Sequence, residues 1–172
     1  MGTITDYFLA DSDESAAATL GWSGGPAGSP APPKRKGRFR RSQPGTPIQG
    51  GPSAGTSVLA GNGIEPVVMM ATLEAQLTGT LAEQIIVDRP AAVIASGPDG
   101  LPLIVRLSQT LLAALISASE PETQAAAQPW SETEEFGSFD DPDLLAEFIT
   151  ELSALARQAR DRGVSVYCWW SL

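Results

Sequence analysis

Six basic residues in a run of eight, Lys34-Arg35-Lys36-Gly37-Arg38-Phe39-Arg40-Arg41, make the densest charge cluster in the chain. Cations so closely spaced neutralise phosphates, and an aromatic among them can stack on a base. One chemistry on offer is therefore salt-sensitive contact with nucleic acid or another polyanion through Lys34, Arg35, Lys36, Arg38, Arg40 and Arg41. The competing reading is a solvated loop, or one that folds back onto acidic parts of the same chain. A second cluster has the opposite sign. Glu132, Glu134, Glu135, Asp140, Asp141 and Asp143 place six acids in twelve residues without a base. Oxygen ligands suit Ca²⁺ or Mg²⁺, yet the spacing matches no calcium loop, and several of these acids sit where a helix start favours negative charge. No metal and no cofactor is expected, which leaves an acidic patch for a basic protein partner.

Most catalytic chemistry is closed to this sequence. His is absent, so every His-based triad and every His metal site is excluded. The one cysteine, Cys168, falls in an apolar strand pattern without a nearby positive charge, which predicts a buried, inert thiol and rules out an internal disulfide. The two lysines, Lys34 and Lys36, both lie in the basic run, a poor place to preorganise a nucleophile. Gly24-Gly25 and Gly50-Gly51 lack the strand, lysine and helix of a phosphate cradle and read as turn residues. A carboxylate-based hydrolase is the one enzymatic reading left, as a distant alternative.

The elements that would position these clusters come from 172 residues with a net charge of −9. Outside the basic run, five bases face twenty acids, so the remainder carries −15. Residues 21–63 hold eleven of the 17 glycines and seven of the 14 prolines. With so few large apolar side chains, that stretch cannot offset its ordering entropy, which predicts a low-complexity, flexible loop within a single domain spanning 1–172. The first ten residues lack the pattern of a signal peptide, and Arg106 interrupts the most apolar stretch, so no membrane segment and a cytoplasmic location are expected.

Thr3–Leu9 reads as a strand and Glu14–Leu20 as a short helix after Asp11, Ser12 and Asp13. Pro66 opens a helix that Gly79 stops, and Leu81–Val87 adds a further turn or two. Gly97-Pro98-Asp99-Gly100 separates two apolar runs and predicts a hairpin, after which Ser108 caps a helix to about Ala118. Glu122–Gln128 predicts a weak helix ended by Pro129, with a capping box at Ser131-Glu132-Thr133-Glu134. The strongest pattern runs from Asp141 to Gly163, its apolar stripe about five turns long. Val164–Trp170 then alternates as a strand that pairs with the first strand or the hairpin, its Tyr167, Trp169 and Trp170 either a binding surface or buried between helices. Trp22 and Trp130, each beside expected loop, read as anchors of chain ends. The class that follows is α+β, a small antiparallel sheet packed against several helices.

Met1-Gly2 with the hydrophobic start through Tyr7 resembles the bacterial YfbM-like family, as does Leu77-Thr78-Gly79. Phe148, Leu152 and Ala159 in a long helix, followed by Gly163 and an apolar strand, extend the likeness. The resemblance implies an α+β fold and covers about half the chain; residues 21–63 depart from it. It implies no catalytic residue. The function expected is thus a soluble bacterial binding module, an inhibitor or immunity-like protein for a basic partner, with the polyanion-binding arm as the alternative.

Overall fold

The computed structural model describes residues 3–22, 24–27, 58–137 and 141–172. Five strands form one antiparallel sheet: β1 (Ile4–Ala10), β2 (Leu59–Ala60), β3 (Ala92–Ser96), β4 (Leu103–Arg106) and β5 (Ser165–Ser171). Their order is β2-β1-β5-β4-β3, so the last strand lies at the centre, between the first strand and the expected hairpin. β5 pairs with β1 along seven positions, Ile4↔Ser171 through Ala10↔Ser165, and with β4 from Leu103↔Trp170 to Arg106↔Tyr167.

Because successive side chains in a strand face opposite ways, each strand feeds two cores. Tyr7, Leu9, Val166 and Cys168 face a large helical layer, while Phe8, Ala10, Tyr167 and Trp169 join Ile104 and Ala16 on the other side. The large layer contains α2 (Val68–Thr78), α4 (Gln109–Ser117), α5 (Glu120–Ser131) and α6 (Pro142–Arg162), and α3 (Ala82–Asp88) packs on α2. The opposite face carries α1 (Asp13–Ala17) and a 3-10 turn over Ala18–Gly21. Asp13 fixes α1 to the sheet: Arg106 Nη1 donates to both of its carboxylate oxygens at 2.8 Å, and the Tyr167 hydroxyl donates to Oδ1 at 2.8 Å. Burial, with the Asp13 contact behind it, pushes the Tyr167 hydroxyl up to about 12.

α6 follows the sequence pattern closely. Asp141 accepts from the Leu144 N–H at 3.1 Å, Pro142 takes the first turn, and Gly163 ends the helix at φ 67°. Leu145, Phe148, Ile149, Leu152, Leu155, Ala156 and Ala159 are buried along one stripe. α5 does not follow the expectation. It runs through Pro129 to Ser131, and its start is Ser119, whose N–H donates to Glu122 Oε2 at 2.7 Å. Ser131 instead closes the helix, donating to the Gln128 carbonyl at 2.7 Å. A proline inside a helix removes one intrahelical hydrogen bond and crowds the carbonyl four residues earlier, a cost of about 3 kcal/mol, and the burial of Ala126, Ala127 and Trp130 along α5 offsets it. Trp130 is therefore core rather than a chain-end anchor, its indole N–H donating to Met69 O and Thr72 Oγ1 at 3.1 Å.

The Gly/Pro-rich stretch expected over 21–63 is narrower at its described margins, since Leu59 and Ala60 pair with Tyr7 and Asp6 of β1. Residues 28–57 lie outside the described residues. The terminal aromatics are packed in the sheet: Tyr167 and Trp169 are buried and Trp170 is half-buried, so they form core and not a binding surface.

Leu152→Ala should cost about 2–5 kcal/mol by chemical denaturation, because Leu152 on α6 is fully buried in the large core. Leu144→Ala, on the exposed side of the same helix, should stay within about 0.5 kcal/mol of the parent.

Candidate functional site

A cleft opens where the short strand β2 and the turn after it face the N-terminal half of α6. One wall is the segment Ala60–Ile64, held by β1 through several hydrogen bonds. The Gly61 N–H donates to Thr5 O at 2.6 Å and the Gly63 N–H to Thr5 Oγ1 at 3.1 Å. The buried Tyr7 hydroxyl donates to Ile64 O at 2.8 Å. Burial above all, then nearby Cys168 and Glu65, holds the Tyr7 hydroxyl well above its usual range, so it stays a neutral donor. Gly61 allows this close approach, because a Cβ there would stand 2.7 Å from the Tyr7 ring. Asn62 turns the chain at φ 48°, in the left-handed region where Asn is tolerated.

The floor is apolar. Ile64, Met69, Leu145 and Phe148 are buried there, and Phe148 is braced edge-on by Tyr7 at a centroid distance of 5.5 Å. Trp130 stands behind, 6.2 Å from Phe148 and 5.0 Å from Phe136. Glu65 sets the neighbouring helix start by accepting from the Val67 and Met69 N–H groups at 2.8 and 2.6 Å. The cavity measures about 330 Å³ and is rimmed by Glu135, Glu147, Glu151 and the exposed Leu144. Across the ridge of α6, Glu147 and Glu151 also border a polar groove with Asp143 and Thr150, facing Glu120, Gln124 and Gln128 of α5.

The acids singled out in the sequence divide by task. Glu132 accepts from Gln128 Nε2 at 2.7 Å at the end of α5, and Asp141 caps α6. Glu134 and Glu135 open a 3-10 turn at Glu134–Phe136, and Asp143 sits in the first turn of α6. Of the six, Glu135 lines the cleft and Asp143 the adjoining groove; Asp140 lies outside the described residues. Sequence reasoning missed Glu147 and Glu151 as site residues. Their signal was the four-residue spacing Asp143, Glu147, Glu151, which stacks one above another on a helix. A wider signal was also available: ten acids and no base lie between Arg106 and Arg157. The basic cluster Lys34, Arg35, Lys36, Arg38, Arg40 and Arg41 lies outside the described residues.

Among the described residues, no group of three or more Cys, Asp or Glu is placed to hold a metal ion. Cys168 is buried, and burial drives its thiol well above the usual range, as its place in the strand pattern predicts. No described helix is long and apolar enough to cross a membrane. No family model, curated protein or solved structure matches the chain.

A buried acid also lies on the far side of the sheet. Asp6 is covered by residues 24–27 and accepts from the Ala27 N–H at 3.1 Å, and burial raises its carboxyl above the ordinary 3.8. The native state thus holds this proton more tightly than the unfolded chain, and the stability that protonated Asp6 contributes is lost as pH rises through that interval. Asp6→Asn should flatten the decline that begins near pH 3.8, read from urea midpoints at successive pH values. A thiol reagent at pH 8 should leave native Cys168 unlabelled over the time in which the urea-unfolded chain reacts fully.

Proposed function

We propose that this protein is a non-catalytic binding module whose acidic α5–α6 face docks a basic protein partner, as an inhibitor or immunity-type neutraliser would. The observation that carries this reading is the pairing of an apolar cleft with a rim of exposed carboxylates on a stretch with no base. Asp141 and Asp143 have a local reason to be acidic, since the positive end of α6 stabilises them. Glu147 and Glu151 lie one and two turns further along, where that field has faded. Their charge serves no cap, and among the described residues neither takes part in an ion pair. Clustered acids repel one another and lower stability, a cost that complementary charge on a partner removes.

Labelled polylysine should bind the protein at low ionic strength and weaken by about tenfold between 50 and 300 mM salt. Combining Asp143→Asn, Glu147→Gln and Glu151→Gln should weaken binding by a further factor of about ten at 50 mM salt, with the urea midpoint held at or above the parent's by the relieved repulsion. Equal binding by parent and triple variant would refute the acidic face. The second reading, a polyanion-binding arm, rests on six bases in eight residues. It requires that a labelled single-stranded oligonucleotide bind at low salt and be released when Lys34, Arg35, Lys36, Arg38, Arg40 and Arg41 are all changed to Gln.

A further inference from the structure

We infer that the cleft beside α6 is an anchor pocket for one bulky apolar side chain, presented by a basic peptide segment of a partner protein. This assignment rests on the acidic face being the docking surface, and it adds what the face selects beyond charge. The cavity of about 330 Å³ lies at the small end of ligand pockets, which span roughly 300–1,000 Å³. That size takes a single aromatic side chain with its neighbouring backbone. Its wall is preformed, because the Thr5 carbonyl and hydroxyl and the Tyr7 hydroxyl hold the backbone of Gly61, Gly63 and Ile64 by hydrogen bonds. Preformed apolar pockets are where interface anchors contribute most.

Charge selects the occupant. Glu135, Glu147 and Glu151 at the rim repel an anionic ligand, and a neutral apolar one would leave three carboxylates beside newly buried surface. An anchor flanked by Lys or Arg satisfies both parts of the site. Apart from its basic run, a second copy of this chain fits poorly. The chain outside the basic run carries −15, and three of its five arginines, Arg89, Arg106 and Arg160, are already paired with acids. The lip residue Leu144, 53% exposed on an otherwise polar side of α6, is the apolar surface such an anchor would cover.

The test uses the full chain and two fluorescent nonapeptides, each of eight lysines around a central phenylalanine or alanine. By anisotropy at 50 mM salt, the phenylalanine peptide should bind at least about tenfold tighter, the size of effect expected of an anchor residue. The Met69 methyl resonance at the cleft floor should shift with the phenylalanine peptide only. Glu147→Gln with Glu151→Gln should weaken both peptides alike, whereas Leu144→Asn should narrow the preference between them. Equal affinity for the two peptides overturns the anchor pocket while leaving the acidic face in place. Binding of neither overturns the acidic face and the pocket with it. If changing the six bases of 34–41 to Gln tightens the phenylalanine peptide tenfold more than the alanine peptide, the chain's own basic run is the occupant, and the assignment to an outside partner fails.

Discussion

Everything in this molecule depends on β5 lying between β1 and β4. A central strand of an antiparallel sheet is hydrogen-bonded on both edges and, here, packed on both faces, so nearly every side chain from Val166 to Trp169 must be apolar or find a buried partner. The two faces then accept different covers. On one, Val166 and Cys168 meet the layer led by α6, and on the other Tyr167 and Trp169 meet α1 and its flanking turns. The Tyr167 hydroxyl reaches Asp13, so the same strand that joins the sheet also pins α1.

The cleft is a by-product of that order. β1 is bonded on one side to β5, and its other edge is free to take the short strand β2 and the turn that walls the cleft. Thr5 and Tyr7 thus belong to the core and the site together. α6 contributes similarly from its two sides: Leu145 and Phe148 close the floor, while Glu147 and Glu151 stand in water at the rim. One helix sets both the hydrophobic and the electrostatic character of the surface, and residues one turn apart carry opposite tasks.

What could be read in the sequence was what local periodicity encodes. The stripe of α6, the hairpin around Gly97-Pro98-Asp99-Gly100, the Ser108 cap and the alternation that buries Cys168 each depend on neighbours within a few residues. α5 was misjudged because the burial of Trp130 among Met69, Thr72 and Phe148 overrides a proline, and those partners are distant in sequence. The two-residue β2 has no periodicity to detect; its pairing with Asp6 and Tyr7 and the hydrogen bonds from Gly61 and Gly63 to Thr5 define its place. The acidic patch was half legible. Runs such as Glu134-Glu135 stand out by adjacency, whereas Glu147 and Glu151 join them only after helical winding and the return of residues 59–64 to β1.

The position of β5 has a consequence for synthesis. The strand that covers the Tyr7-Phe8-Leu9 run of β1 is made about 155 residues after it, the separation of Ala10 from Ser165. At the usual ribosomal pace of about 5–20 residues per second, β1 waits on the order of 10–30 s for its main partner. During that interval an apolar strand edge is available to any other unpaired strand nearby. The nascent chain is therefore most exposed to misassociation before its final helix and strand emerge, and chaperone protection would matter most for this early strand.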